Sequence, residues 1–82
     1  MNVFQSRSFA KKVKKLTKAE KTTLDEEIRK IIAQPQIGVE KKGNLKEIFV
    51  HKFKVKTSLF LLSYRFAEDS LELIMLGPHE NY

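Results

Sequence analysis

The alternating segment 49–56, FVHKFKVK, holds the side chains that first suggest chemistry in this sequence. Lys52, Lys54 and Lys56 recur at every second position, and a β-strand points residues at that spacing to one face. Ammonium groups about 7 Å apart along a strand are suited to binding successive phosphates of a nucleic acid. Lysines on an edge strand also deter aggregation, so the ligand and the edge-protection interpretations both stay open.

The same alternation places four other residues of this segment on the opposite face. They are Phe49, His51, Phe53 and Val55. Burying unpaired ammonium groups is very costly, so the lysine face must be open and the aromatic face must be the core side. His51 is therefore interpreted as a histidine packed in the core.

The C-terminal segment 77–82, GPHENY, is a second candidate site. A Gly-Pro break precedes four polar side chains in consecutive positions. His79 exchanges protons near neutral pH, and Tyr82 can stack on a base or donate a hydrogen bond. A solvated polar tail would have the same composition, and both interpretations stay open.

Composition limits the range of functions. A chain of 82 residues predicts one domain, residues 1–82, and 41% hydrophobic residues are enough for a packed fold. There is no cysteine, and the two histidines lie far apart in sequence. We therefore expect no metal site and no cofactor.

The charge of the chain is concentrated in two segments. The net charge is +6; residues 7–21 carry seven basic groups and one acid, and residues 41–56 carry six lysines and one acid. This distribution favours a polyanion or an acidic protein as partner, although it also serves solubility. No apolar leader or membrane span is visible, which predicts a soluble cytoplasmic protein without a membrane partner.

Two helices are predicted in the first half of the chain. Ser6 or Ser8 can cap the first helix, whose apolar face is Phe9, Val13 and Leu16. The sequence TKAE, residues 17–20, has the spacing of a capping box and predicts the start of the second helix. The apolar stripe of that helix is Leu24, Ile28, Ile31 and Ile32, and Pro35 ends it.

The second half of the chain predicts strands. Residues 45–55, 59–66 and 71–77 are separated by short turns, so they should be antiparallel neighbours. Residues 2–5 can add an edge strand. The predicted fold class is α+β, with an N-terminal helical hairpin packed on one face of a small antiparallel sheet of three to four strands.

The order of these elements and motifs resembles the RelE/ParE superfamily of toxins from bacterial type II toxin–antitoxin systems. Two amphipathic helices precede a loop motif, IGVEKKGNLKEIF, and the alternating basic strand HKFKVK. An apolar strand, LLSYRF, and a last strand ending in LGPHENY follow. The resemblance extends over essentially the whole chain and implies a RelE-like fold.

For RelE-like members, the resemblance implies a ribosome-dependent mRNA endoribonuclease that needs no metal and inhibits translation. The ribose 2′-hydroxyl attacks the neighbouring phosphate and leaves a cyclic phosphate end. The implied partners are the ribosome, mRNA and a cognate acidic antitoxin that covers the basic surface in a toxin–antitoxin hetero-oligomer.

The resemblance also implies roles for single residues. Lys52 and Lys54 match basic residues of the catalytic strand, where they would stabilise charge on the reacting phosphate and aid proton transfer. His79 would give a proton to the leaving oxygen, and Tyr82 would stack on a base. The further lysines that would bind RNA are Lys41, Lys42, Lys46 and Lys56.

One expected arginine of the family is not matched. Leu61 occupies its position, just before the tyrosine of the next strand. Arg65 lies on the same strand face four residues further on and is a candidate replacement. The distance between the two positions is over 10 Å along a strand.

Two other functions are compatible with the sequence. ParE-like members of the superfamily inhibit DNA gyrase by binding the protein, and the missing arginine favours that function. Lys52, Lys54 and His79 speak against it, because a protein inhibitor does not need them. The second alternative is a catalytically degenerate module that binds only its antitoxin or RNA.

Overall fold

Two helices lie on one face of a five-stranded sheet in the computed structural model, which describes residues 1–41 and 47–78. The helices are α1 (Arg7–Lys14) and α2 (Lys18–Ala33), and a 3-10 turn, Pro35–Ile37, follows α2. The strands are β1 (Asn2–Gln5), β2 (Val39–Glu40), β3 (Phe49–Val55), β4 (Ser58–Ala67) and β5 (Ser70–Pro78). The predicted α+β class and the helical hairpin are confirmed, but the hairpin is not the first element of the fold, since β1 precedes it.

Both helices begin at side chains that cap them. The Phe9 backbone N–H donates to the Ser6 hydroxyl at 3.0 Å, so Ser6 rather than Ser8 caps α1. At α2 the Glu20 N–H donates to the Thr17 hydroxyl, and the Thr17 N–H donates to the Glu20 carboxylate. This reciprocal pair is the capping box that the sequence predicts.

The sheet is larger than the prediction and is mixed in direction. Its order is β1-β5-β4-β3-β2, with β1 parallel to β5 and the other neighbours antiparallel. The prediction of three to four antiparallel strands is therefore corrected to a five-stranded mixed sheet within the described residues. The rest of the chain separates β1 from β5, and a connection of that length permits parallel pairing.

Two strand boundaries also differ from the prediction. The first long strand begins at Phe49 instead of residue 45. Residues 42–46 lie outside the described residues. The turn before β4 is formed by Lys56 and Thr57, since Val55 pairs with Ser58.

The sequence predicts a loop where the structure has β2, because β2 has only two residues and therefore no alternation to detect.

The core lies between the helices and the inner face of the sheet. The helices contribute Phe9, Leu24 and Ile31, all of them buried. The sheet contributes Phe53, Val55, Phe60, Leu62, Tyr64, Leu71, Leu73 and Leu76. The inner face therefore holds the aromatic side of β3, and the outer face is left uncovered by the helices.

An irregularity in β5 keeps its leucines in the core. Ser63 pairs with Met75 and Tyr64 with Leu73, so Ile74 is an extra residue in the ladder. The Ser6 hydroxyl donates to the Ile74 carbonyl at 2.6 Å. Strict alternation would have pointed Leu76 away from the helices, and the bulge returns it to the core.

Candidate functional site

Lys52 and Lys54 lie on the outer face of β3, opposite the helices. Both are exposed, and across β4 they pair with Leu61 and Leu59. Strand geometry puts the two lysine positions about 7 Å apart. No carboxylate of residues 1–41 or 47–78 forms an ion pair with either lysine. As far as the described residues extend, the two ammonium groups are thus available to an external anion.

The residues beside these lysines on the outer face of the sheet are apolar or small. Lys52, Leu61 and Gly77 form one row across β3, β4 and β5. Leu61 is only 6% exposed although it faces away from the helices. At the position where the family arginine was expected, the outer face therefore carries a covered apolar side chain without a charge.

Arg65 lies further along the same face and is already paired. Its guanidinium donates twice to Glu72 on β5, from Nε at 3.1 Å and from Nη2 at 2.8 Å. Four residues of strand separate Arg65 from the Leu61 position, which is roughly 13 Å. The structure does not bring Arg65 together with Lys52 and Lys54.

Of the other lysines predicted to bind RNA, the two described ones lie at opposite ends of β3. Lys56 is in the β3–β4 turn with a φ of 56°, so it does not continue the row of Lys52 and Lys54. Lys41 is exposed at the end of β2, where its backbone N–H donates to the Ile48 carbonyl. Lys42 and Lys46 lie outside the described residues.

The C-terminal candidates His79 and Tyr82 also lie outside the described residues. The last described residue, Pro78, pairs with Phe60 on β4, which in turn pairs with Phe53. Two interstrand steps amount to about 10 Å. Pro78 in β5 therefore lies about 10 Å from β3, the strand that carries the two lysines.

The described residues form one notable cavity, and it is not beside the lysines. It has a volume of about 470 Å³, and Glu40, Glu47, Arg65, Phe66 and Glu72 are among its lining residues. These residues lie where β4 extends beyond the start of β3, at the other end of the sheet. An acidic lining does not suit a phosphate, so the outer face of β3 is the better candidate for an anion.

His51 is packed beneath α2, as the alternation of β3 predicted. Its Nε2 lies 2.6 Å from the Glu27 carboxylate, and the Lys30 ammonium donates to the other Glu27 oxygen at 2.8 Å. Glu27 is only 8% exposed. This triad joins α2 to the inner side of the strand whose outer side carries Lys52.

The triad changes the acidity of Glu27. Burial raises the pKa of this carboxyl, but the hydrogen bonds from Lys30 and His51 outweigh burial and leave the pKa below its ordinary value of 4.5. Glu27 was not predicted as a core residue, because an acidic side chain on a helix is normally solvated. The sequence signal for its burial was its position three residues after Leu24 and four before Ile31, which is the spacing of one helix face.

Tyr64 is a second structural residue that the sequence did not reveal. Its hydroxyl donates to the Pro35 carbonyl at 2.6 Å and accepts from the Gly38 N–H at 3.0 Å. Burial raises the pKa of the phenol, and the hydrogen bond from Gly38 opposes that shift. These bonds fix the segment that leads into β2.

A methyl group does not fit at Gly38. A Cβ built there would lie 2.7 Å from the Tyr64 hydroxyl oxygen and 3.0 Å from the Val50 carbonyl oxygen. The glycine therefore permits the close approach of the loop to β3 and β4.

Within residues 1–41 and 47–78, no three His, Cys, Asp or Glu side chains come together in a way that could hold a metal ion. In the same residues, no helix is both long enough and apolar enough to cross a membrane.

A helical hairpin lies on one face of a small mixed sheet, and two lysines without a described carboxylate partner lie on the other, so the fold is that of a small α+β domain. Residues 3–82 match the family described as ParE-like toxin of type II bacterial toxin–antitoxin system. The chain belongs to this family. No curated protein matches it by sequence.

Solved structures show the same fold. The toxin–antitoxin complex RelBE of E. coli matches with a TM-score of 0.74 at 18% identity, over 93% of each chain. The isolated E. coli RelE toxin matches with a TM-score of 0.73 at 18% identity, over 94% of this chain and 82% of that one. The protein HP0894 of Helicobacter pylori matches with a TM-score of 0.53 at 23% identity, over 98% and 96%. At these identities the likeness establishes the RelE-like fold.

Proposed function

We propose that this toxin is a ribosome-dependent mRNA endoribonuclease that inhibits translation. The observation that carries the proposal is the pair Lys52 and Lys54, exposed on one strand face without a carboxylate partner among the described residues. Like charges this close repel each other, and a bound phosphate would offset that repulsion. The likeness of the fold to E. coli RelE supports the same function.

The chemistry uses the nucleophile of the RNA itself. The 2′-hydroxyl oxygen forms a bond to the adjacent phosphorus while the bond from phosphorus to the 5′-oxygen breaks. A 2′,3′-cyclic phosphate and a 5′-hydroxyl end result. Negative charge accumulates on the phosphate oxygens during this step, and the ammonium groups of Lys52 and Lys54 stabilise it.

Two proton transfers accompany this step. The proton of the 2′-hydroxyl passes to water, which the ammonium groups of Lys52 and Lys54 assist by stabilising the negative charge that forms, and His79 gives a proton to the leaving 5′-oxygen. Tyr82 stacks on a base next to the scissile phosphate. Arg65 takes no part in the step, because its guanidinium is bound to Glu72 and its position in β4 is about 13 Å along the strand from that of Leu61.

An acidic antitoxin is the proposed protein partner. The exposed lysines and the apolar Leu61 beside them suit a segment that combines carboxylates with apolar side chains. Binding there would block access of RNA to Lys52 and Lys54. The RelBE match is itself a toxin–antitoxin complex, which supports a hetero-oligomer for this chain as well.

Inhibition of DNA gyrase is the second candidate function. Leu61 stands in place of the expected arginine, and the matching family is described as ParE-like. An apolar surface such as that of Leu61, next to charged side chains, also suits contact with a protein partner.

One experiment separates the two functions. The purified protein is incubated with mRNA-programmed ribosomes, and the mRNA ends are mapped by primer extension; in parallel, gyrase supercoiling is measured over the same protein concentrations. We expect new mRNA ends only when ribosomes are present, and unaffected supercoiling. Intact mRNA together with inhibited supercoiling would exclude the endoribonuclease and establish the gyrase function.

A further inference from the structure

The cavity where β4 extends beyond the start of β3 takes no part in the proposed cleavage of RNA. Its lining carries three carboxylates and one guanidinium, which give it a net charge of −2 in a chain whose net charge is +6. These groups belong to Glu40, Glu47, Glu72 and Arg65. The cavity is therefore a negative region of a basic protein, and charge complementarity favours a cation inside it.

Two of the three carboxylates remain for such a cation. Glu72 is held by the guanidinium of Arg65. Glu40 accepts a backbone hydrogen bond from the Glu47 N–H at 3.3 Å, and no ion pair among the described residues involves Glu40 or Glu47. Both side chains are exposed, so an external donor can reach their oxygens.

The aromatic wall of the cavity suits a planar cation. Phe49 and Phe66 line it together, with ring centroids 5.0 Å apart and planes inclined by 47°. Both rings are only partly buried, whereas Phe53 and Phe60 of the same two strands are buried. A guanidinium can stack on an open ring face while its N–H groups bond to nearby carboxylates.

The backbone of β4 beside the cavity has an open side. β4 continues to Ala67, but its pairing with β3 ends at Tyr64 and Phe49. Glu47 has a φ of 71°, in the left-handed region, so the chain does not enter β3 from an extended direction. Among the described residues no strand pairs with this side of the last three residues of β4, and an extended peptide could add there.

The dimensions and the ligands of the cavity narrow the choice of cation. A volume of about 470 Å³ exceeds that of a guanidinium alone and leaves room for an aliphatic stem and its backbone. A metal ion is disfavoured, since no group of three ligating side chains is present in the part of the chain that the structure describes.

We propose that this cavity binds an arginine side chain of a partner polypeptide whose backbone lies extended along the end of β4. The guanidinium bonds to Glu40 and Glu47 and stacks on the ring of Phe66. This contact has the opposite charge from the one proposed for Lys52 and Lys54, and it does not depend on the endoribonuclease.

The test measures the binding of a blocked pentapeptide, with arginine at its centre and threonine on both sides, by isothermal titration calorimetry. A matched peptide carries citrulline, which keeps the shape of arginine and removes its charge. We expect the arginine peptide to bind at least about 10-fold more tightly, because hydrogen bonds between charged groups are the stronger ones. The amide NMR signals of Phe66 and Ala67 should shift on binding.

A charge variant locates the site. In Glu40→Gln with Glu47→Gln, the side-chain oxygen at position 40 can still accept from the backbone N–H of residue 47. Affinity for the arginine peptide should fall roughly 10-fold, and affinity for the citrulline peptide should stay within about 2-fold. The matched control, Asp25→Asn with Glu26→Gln, makes the same change of net charge at exposed positions outside the cavity lining. It should change affinity for the arginine peptide less than about 2-fold.

A second variant tests the aromatic wall. Phe66→Leu keeps an apolar side chain and removes the ring face, so affinity for the arginine peptide should fall about 3-fold while the citrulline peptide is less affected. The melting temperature shows whether the variant is folded. An equal loss for the two peptides would contradict stacking of the guanidinium on Phe66.

Several results would overturn the proposal. They include no binding of the arginine peptide, equal binding of the citrulline peptide, or equal weakening by the cavity variant and its control, in which case only net charge matters. Free arginine amide or spermidine that binds as tightly as the peptide would reject a polypeptide partner, because the extended backbone would then contribute nothing.

Discussion

The two faces of β3 put basic side chains to opposite uses. On the inner face, His51 is packed against Phe53 and bonded to Glu27, which is also held by Lys30. On the outer face, Lys52 and Lys54 are exposed, and no described carboxylate pairs with them. A titratable residue beside a candidate site is therefore not necessarily part of it. Inner-face residues should determine stability, and outer-face residues should determine function.

The largest effect on stability is expected from breaking the inner triad at His51. The variant His51→Leu leaves the Glu27 carboxylate buried with one partner fewer, and breaking a buried pair on one side costs about 3 kcal/mol of unfolding free energy. The double variant Glu27→Leu with His51→Leu should recover most of this loss, because no buried charge remains. Urea unfolding measures both. Equal losses in the single and double variants would show that the polar bond itself, and not the stranded charge, matters.

An intermediate effect is expected at Tyr64. The variant Tyr64→Phe leaves the Pro35 carbonyl and the Gly38 N–H without their partner, which should lower the unfolding free energy by about 1–2 kcal/mol. Gly38→Ala tests the same contact from the other side, through the clash with the tyrosine hydroxyl. Thermal unfolding of both variants checks the prediction. Wild-type stability in Tyr64→Phe would contradict the two hydrogen bonds.

A further effect is expected from pH. Because the pKa of Glu27 is lowered below 4.5 in the folded protein, its contribution to stability is fully present above pH 4.5 and is lost as pH falls through the folded pKa. The wild type should therefore lose more stability than Glu27→Leu with His51→Leu between pH 4.5 and acid. An equal loss of stability with falling pH in the two proteins would contradict a stabilising ion pair at Glu27.

The smallest effect on stability is expected from the outer face. Lys52→Gln with Lys54→Gln removes two exposed charges that repel each other, so the unfolding free energy should change by less than about 0.5 kcal/mol. A loss comparable with that of His51→Leu would mean that both faces of β3 are structural.

Local patterns made part of this organisation predictable. Alternation along β3 assigned His51 to the core and the lysines to the open face, because the period of a strand is two. The capping box at Thr17 and Glu20 identified the start of α2, since its hydrogen bonds join residues only three apart. In each case the information lies within a few residues of the feature.

Long-range contacts made the rest unpredictable. The parallel pairing of β1 with β5 joins the two ends of the chain, and the burial of Glu27 depends on His51, 24 residues away. Leu76 reaches the core only through the bulge at Ile74. No local period contains such information, and each feature appears only after tertiary packing.

The candidate site also has features that the sequence predicts and features that it does not. The parity of Lys52 and Lys54 follows from alternation, but the ion pair between Arg65 and Glu72 joins two strands and was not visible in sequence. The roles of His79 and Tyr82 remain predictions that rest on resemblance to the family. Substitution of His79 by alanine, read by mRNA cleavage, tests the first of them.

Cleavage of mRNA on programmed ribosomes by the variant Lys52→Ala with Lys54→Ala tests whether the outer face of β3 acts on RNA. The rate should fall at least about 100-fold relative to the wild type, because charge on the reacting phosphate is no longer stabilised. The melting temperature of the variant should remain that of the wild type. Wild-type cleavage by this correctly folded variant would contradict the assignment of the outer face of β3 to RNA chemistry.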